Sequence, residues 1–199
     1  AFVASFVGDA VVRGLGVTHT HYPHMPDVAW SASMAWKVAL FGLIGGLIAM
    51  LFVHLTRFIK NNLKKYVAWY PARPVIGGVV LAILILSFGW RDYSGLSIPL
   101  AVEAMNGSVT GQWGTKLILT SITIGAGFVG GEFIPLFVIG ALAGASYAHI
   151  IGANVAVFAC IGSITVLAGA TNAPLACTII GIELFGGQGL TVFALACAV

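Results

Sequence analysis

The chain has 199 residues, of which 59% are hydrophobic and 8% are charged, with a formal net charge of +3. Soluble chains carry about a quarter charged residues, so this composition excludes a soluble domain. The 26 Gly and 7 Pro are scattered without a period among Leu, Ile, Val and Phe, which excludes disorder and a collagen-like chain. The composition therefore predicts an all-α integral membrane protein. The net charge itself says little about partners, and no nucleic-acid partner is expected.

A first apolar run ends near Arg13, and a polar stretch follows at residues 18–27. Its two Pro and three His predict a loop at one membrane face. The histidines are His19, His21 and His24. Because imidazoles suit zinc or copper, a metal site in this loop is an alternative, although no metal or other cofactor is expected.

The longest apolar segment runs from residue 34 to about residue 57, which is long enough to span the bilayer. Trp36 and Lys37 are suitable interfacial anchors at its start. Residues 57–73 then contain five of the nine basic residues and no acid. The positive-inside rule therefore predicts that loop 57–73 is cytoplasmic and loop 18–27 extracellular. Contact with lipid headgroups is sufficient to explain the basic cluster.

From residue 75 onward the apolar runs are short and are interrupted by Gly and Pro. Such runs are typical of re-entrant half-helices, which mark binding sites in transporters. Small residues also recur four apart, which permits close contact between helices. These pairs are Gly42/Gly46, Gly127/Gly131 and Gly140/Gly144. The apolar runs cover residues 75–88, 96–105, 117–128, 133–151, 155–170, 175–185 and 190 onward.

One glycine-rich segment, residues 125–135, leads directly into an apolar run. Pro135 is expected as the first residue of a helix, where its missing N–H costs nothing. The glycines before it let the backbone bend and let a small ligand approach. The amides of four residues would then converge ahead of a helix N-terminus, which predicts an anion-binding site. These residues are Gly131, Glu132, Phe133 and Ile134.

Two acids, Glu132 and Glu183, lie within the apolar second half of the chain. An ionisable group at membrane depth indicates a functional site, because leaving it charged and unpaired is costly. Glu132 could share its amides with an anion only if the carboxyl were protonated, which would link proton and anion occupancy. The alternative is that Glu132 caps its own helix. For Glu183 a hydrogen bond between helices is the favoured interpretation.

The run Gly-Gly-Glu-Phe-Ile-Pro at residues 130–135, followed by Gly140 and Gly144, resembles the G-x-F-x-P signature of the CLC family of chloride channels and proton-coupled antiporters. The later segment from Ala173-Pro174-Leu175 to Glu183 resembles another motif of the same family. The long first span, the basic turn and the broken runs follow the order of the CLC fold. The resemblance implies inverted repeats with broken, re-entrant helices, and this chain would cover mainly the second repeat.

Carried over from the family, the amides of Glu132 and Phe133 would contact the anion. Chloride-transporting members usually have an apolar residue or Lys at the position of Glu132, whereas Glu is similar to the bacterial fluoride/proton antiporters. The resemblance thus implies export of fluoride across the inner or plasma membrane, driven by inward proton flow through Glu132. A protonated carboxyl at that position could donate a hydrogen bond directly to fluoride.

The same resemblance implies that residues 1–199 form the C-terminal part of a single transmembrane transport domain. The first repeat, with its gating Glu, would precede residue 1, and the last helix, with its anion-contacting Tyr, would follow residue 199. Family members form dimers through helices of this region. A homodimer is therefore expected, with the faces of residues 2–12, 175–185 and 190–198 as the interface.

Three rival functions remain open. The first two are a chloride or less selective anion antiporter of the same family and an anion channel without proton coupling. The third is an intramembrane serine protease, since Ser146 and His149 lie three apart on one helical face. The alternative for Ser146 is a hydrogen bond to its own helix backbone, and no enzymatic activity is expected.

Overall fold

The computed structural model describes residues 2–16, 22–108 and 112–199, with no side chain described for Phe2. These residues form nine α-helices, with 3₁₀ turns at Arg91–Tyr93 and Gly187–Gly189, and they contain no strand. The all-α prediction is therefore confirmed. In chain order the helices are α1 (Phe2–Gly14), α2 (Ala32–Tyr66), α3 (Ala72–Phe88), α4 (Ile98–Met105), α5 (Trp113–Gly125), α6 (Phe133–Ile151), α7 (Val155–Thr171), α8 (Pro174–Phe185) and α9 (Leu190–Ala198).

Helix lengths bear out the expectation of broken segments. Within the described part of the chain, only α2 and α6 are both long and apolar enough to cross a membrane by length and composition. The other helices have 8 to 17 residues, which is shorter than the roughly 20 residues that an upright span requires. The described part of the chain is therefore built from two full-length helices and seven shorter ones.

Helix α2 is longer than its apolar pattern suggested, which corrects the prediction of a loop over residues 57–73. Its 35 residues extend about 52 Å at 1.5 Å per residue, and the basic residues up to Lys65 lie on its last turns. No Gly or Pro interrupts residues 57–66, and Lys64 and Lys65 interact favourably with the C-terminal end of the helix dipole. The true connection to α3 is confined to residues 67–71.

The core is centred on α6 and α7, which pack closely because of their glycines. A Cβ on Gly140 would collide with the carbonyl of Gly162, and one on Gly144 with the carbonyl of Phe158. The predicted small-residue contact is thus confirmed for this pair. At Gly42 a Cβ would lie 3.1 Å from the carbonyl oxygen of Ala196, whereas Gly46 faces open space.

The remaining small-residue pair, Gly127/Gly131, does not mediate a contact between helices. Both residues lie in the connection between α5 and α6, so the predicted helix contact is wrong for them. Their four-residue spacing matched the helical pattern, but Gly127 has a φ of +96°, which is incompatible with a continuing right-handed helix.

Two contacts show how α5 and α6 run relative to α2. Gly125, the last residue of α5, packs against α2. A Cβ added to Gly125 would meet the side chain of Ile59 and would lie 3.1 Å from the carbonyl oxygen of Thr56. At the other end of α2, the Tyr147 hydroxyl near the end of α6 donates a hydrogen bond of 3.0 Å to the carbonyl of Lys37. Helix α5 therefore ends toward the basic end of α2, and α6 runs back toward the opposite end.

We expect Tyr147→Phe to lower the free energy of unfolding by about 1 kcal/mol, because it removes only the hydrogen bond to Lys37. The ring would remain packed between Phe41 and Phe158. Thermal unfolding in mild detergent would measure the change. Tyr22→Phe is the matched control, since Tyr22 also packs edge-on against a phenylalanine but its hydroxyl bonds no described residue. If both variants lost the same free energy of unfolding, the hydrogen bond of the Tyr147 hydroxyl would not be the cause of the loss.

Candidate anion-binding site

The connection between α5 and α6 forms a tight turn followed by an extended segment. Helix α5 ends at Gly125, and Gly127 adopts the left-handed conformation with its amide 3.0 Å from the carbonyl of Ile124. Only glycine enters this region at little cost. Residues 129–131 are then non-helical, and α6 begins at Phe133. The turn thus redirects the chain so that the N-terminus of α6 immediately follows a glycine-rich segment.

Helix α6 starts two residues earlier than the sequence indicated. Pro135 occupies the third helical position, not the first, and Glu132 is the N-cap residue. The first turn closes with a hydrogen bond of 3.1 Å from the amide of Leu136 to the carbonyl of Glu132. Proline is tolerated at any position of a first turn, because an N–H there would have no acceptor within the helix. The sequence pattern therefore located the N-terminal end of α6 approximately, but it did not identify the first residue of the helix.

The four residues predicted to bind an anion are brought together at this helix start. No hydrogen bond between described residues uses the amides of Gly131, Glu132, Phe133 or Ile134 as a donor. Gly131, Glu132 and Phe133 are exposed, and Ile134 is half-buried. Free amides at the positive end of a 19-residue helix form an anion-binding arrangement, since both the N–H groups and the helix dipole favour negative charge.

The side chain of Glu132 is neither a cap of its own helix nor buried, which are the two situations expected for it. Its side chain accepts no capping hydrogen bond from the first turn of α6, so the helix-cap alternative is not observed. The expected burial is also not observed, because Glu132 is exposed on the surface of this chain. The carboxyl is thus adjacent to the free amides without occupying them, which leaves both the amides and the carboxyl available to a ligand.

A cavity of about 240 Å³ lies beside this segment. Residues 128–131 of the connection and Pro135 form part of its wall, and the rest comes from α3, the turn that follows α3, and α5. Glu132, Phe133 and Ile134 do not line this cavity. Gly131 is therefore the only one of the four predicted anion-binding residues that lies both before the first turn of α6 and on the cavity wall.

Lys116 is a residue of this cavity that the sequence analysis missed. Its side chain is 1% exposed. The ammonium donates hydrogen bonds to the carbonyls of Tyr93 at 3.0 Å and Gly95 at 2.6 Å, and to the hydroxyl of Ser97 at 2.9 Å. In the described ranges no carboxylate lies within salt-bridge distance of it. The available signal was a lone Lys directly before the apolar run of residues 117–128, because a Lys that close to membrane depth is unusual.

The other acid of the apolar half, Glu183, does not form the predicted hydrogen bond between helices. It is exposed on α8, and none of the side-chain hydrogen bonds found among the described residues involves it. The predicted bond is therefore not observed among residues 2–16, 22–108 and 112–199.

Two minor alternatives are also addressed by the structure. The Ser146 hydroxyl donates a hydrogen bond of 2.9 Å to the carbonyl of Leu142, which confirms the structural interpretation of this serine. Of the proposed histidine cluster, His24 is exposed, whereas His19 and His21 lie outside the described residues. Among residues 2–16, 22–108 and 112–199, no group of three His, Cys, Asp or Glu could hold a metal ion.

Comparison with known proteins identifies the family. A sequence model of the voltage-gated chloride channel family matches residues 1–199. The chain belongs to this family, the CLC family. Its backbone superposes with a TM-score of 0.91 on the crystal structure of a CLC-type fluoride/proton antiporter, to which it is 29% identical over 98% of this chain and 50% of that one. The CLC-type fold predicted from the motifs is thus confirmed, and the chain is a membrane protein.

Two relatives are similar in sequence. The chain is 35% identical over 205 residues to a chloride/fluoride channel protein of Pseudomonas syringae pv. tomato, which covers 98% of this chain and 45% of that protein. It is 28% identical over 145 residues to an uncharacterized protein of Methanocaldococcus jannaschii, which covers 70% of this chain and 36% of that protein. The chain therefore spans about half the length, or less, of the proteins it resembles.

Proposed function

We propose that the transport domain to which this chain contributes exports fluoride across the inner or plasma membrane in exchange for protons. The observation that carries the proposal is the position of Glu132 as the N-cap of α6, where the amides of residues 131–134 donate no hydrogen bond to any described residue. The similarity to a CLC-type fluoride/proton antiporter and to a chloride/fluoride channel protein supports it. In this proposal the chain supplies the anion site and the proton-carrying group.

The chemistry of the site favours fluoride. Fluoride is small and accepts hydrogen bonds strongly, so several convergent N–H donors at Gly131, Glu132, Phe133 and Ile134 replace its hydration effectively. An ionised carboxylate at Glu132 would repel an anion at these amides. A protonated carboxyl would instead donate a hydrogen bond to it. Binding of fluoride and binding of a proton at Glu132 would therefore favour each other, as exchange of the two ions requires.

We further propose that the functional protein is a homodimer in which this chain forms mainly the second repeat. The predicted interface faces carry exposed apolar side chains, including Val3, Phe6, Leu175, Ile179 and Leu190. Exposed apolar patches mark contacts with another protein or with lipid. The proposed topology places the basic end of α2 in the cytoplasm and loop 18–27 outside.

An efflux experiment on the full-length protein would test the substrate. Proteoliposomes loaded with equal fluoride and chloride would be diluted into ion-free buffer, and both ions would be followed by selective electrodes. We expect fluoride to leave at least about tenfold faster than chloride, and empty liposomes to release neither. Equal rates would instead support the second candidate, a less selective anion channel or antiporter, which the name of the Pseudomonas relative also allows.

A further inference from the structure

The strongest unexplained feature of the molecule is a buried positive charge in the cavity beside the anion site. Lys116 is fully enclosed, yet its three acceptors, the carbonyls of Tyr93 and Gly95 and the hydroxyl of Ser97, are all neutral. Neutral acceptors solvate an ammonium but do not cancel its charge. Burying a charge without an opposite partner is costly, so a function that uses the net positive charge would explain its presence.

The location of Lys116 connects this charge to the amides of the proposed site. Lys116 and Gly131 line the same cavity, with Lys116 at one end of α5 and Gly125, where the glycine-rich turn begins, at the other. Their separation of nine sequence positions corresponds to about 13 Å along the helix. All three hydrogen bonds of the Lys116 ammonium go to the turn that follows α3, so Lys116 is not placed as a direct ligand of an anion at the start of α6. It is close enough for its field to act through a cavity with low-dielectric walls.

The hydrogen bonds of Lys116 also hold it in place. They join α5 to the turn that follows α3, and they include Ser97, whose backbone has the left-handed φ of +56° that non-glycine residues rarely adopt. A lysine whose three donors are all satisfied by a folded turn cannot swing away from the cavity. Its charge is thus fixed in position relative to the free amides, which is the requirement for preorganised electrostatic attraction.

We propose that Lys116 is an electrostatic positioning residue whose fixed charge raises the occupancy of the α6 amides by fluoride. This inference rests on the proposed function and adds a determinant of anion affinity to it. Lys116 does not touch the anion and takes no part in proton exchange. Its effect should therefore appear in the fluoride concentration that gives half-maximal transport, with little change in the maximal rate.

The test uses two independent changes of charge in the full-length protein. Lys116→Met removes the charge together with its hydrogen bonds. Thr120→Glu adds a negative charge one turn along α5, on a residue that lines the same cavity, and offsets the charge of Lys116 without removing the lysine. Thr120→Gln is the matched control, because it has nearly the same size without the charge. Fluoride transport by proteoliposomes would be measured over a range of fluoride concentrations for each variant.

We expect Lys116→Met and Thr120→Glu each to raise the half-saturating fluoride concentration by about tenfold, as expected for a unit charge acting over this distance at an intermediate dielectric. Thr120→Gln should stay within about twofold of wild type. If Lys116→Met does not fold, the comparison of Thr120→Glu with Thr120→Gln decides the matter. Equal half-saturation for those two variants would overturn the inference, even while wild-type fluoride transport upheld the proposed function. Absence of anion transport by the wild type would overturn both.

Discussion

We expect the Gly144→Ala variant to lose about 3 kcal/mol of folding free energy, although it adds only one methyl group. The new Cβ would collide with the carbonyl of Phe158. This neighbour is backbone, so relief requires a shift of the whole of α7. The same interface contains the equally close approach of Gly140 and Gly162, and widening it at one point would loosen the contact at the other. Thermal unfolding of the full-length protein in mild detergent would measure the loss.

Gly46→Ala is the matched control for this prediction. Gly46 also lies inside an apolar helix, but a Cβ there meets no atom within 4 Å. Alanine has a better helix propensity than glycine by about 1 kcal/mol, so the control should be neutral or slightly stabilising. If Gly144→Ala were as stable as Gly46→Ala, the close packing of α6 on α7 would not be the basis of the core.

The second large effect is expected for Glu132→Gln. Glutamine keeps the size and the hydrogen-bonding ability of a protonated carboxyl, but it cannot release a proton. We expect proton movement coupled to fluoride to fall on the order of 100-fold, a typical contribution of a positioned proton-transferring side chain. Fluoride binding itself should change much less, because the amides of Gly131, Phe133 and Ile134 are unaltered. Fluoride and pH electrodes, recorded together on proteoliposomes, would separate the two effects.

Glu183→Gln provides the control for the loss of a carboxylate. Like Glu132, Glu183 is an exposed acid in the apolar half of the chain, but it lies within α8 and not at the N-cap of α6. We expect its substitution to leave both fluoride and proton fluxes unchanged. If both variants lost a similar fraction of the fluoride-coupled proton flux, the loss would be a general effect of charge removal. Glu132 would then have no special role in coupling.

Much of the architecture could be predicted because the ends of membrane helices can be located directly in the sequence. Apolar runs end where glycine, proline or polar residues begin, and α4 through α9 follow these limits within a few residues. The position of the candidate site was predictable for the same reason. A glycine-rich segment followed by Pro135 marks a helix start, and the local sequence determines which amides lie ahead of it.

Other features depend on information that apolar patterns do not contain. Helix α2 continues through Tyr66 because charged residues with good helix propensity extend it beyond its apolar part, where hydropathy gives no signal. The interactions of Lys116 arise between α5 and a turn about 20 residues earlier, so no local pattern indicates them. The exposure of Glu132 likewise depends on which surfaces pack together, and the apolar sequence around it suggested burial.

The most direct test of the account is whether fluoride and protons move in exchange in the wild-type protein. Full-length protein in liposomes would face an outward fluoride gradient at neutral pH, with the membrane potential clamped and a small opposing proton gradient imposed. We predict that protons enter against their own gradient as fluoride leaves, and that empty liposomes show neither movement. Fluoride efflux without proton entry under the same clamp would contradict the account and identify the protein as a fluoride-conducting channel.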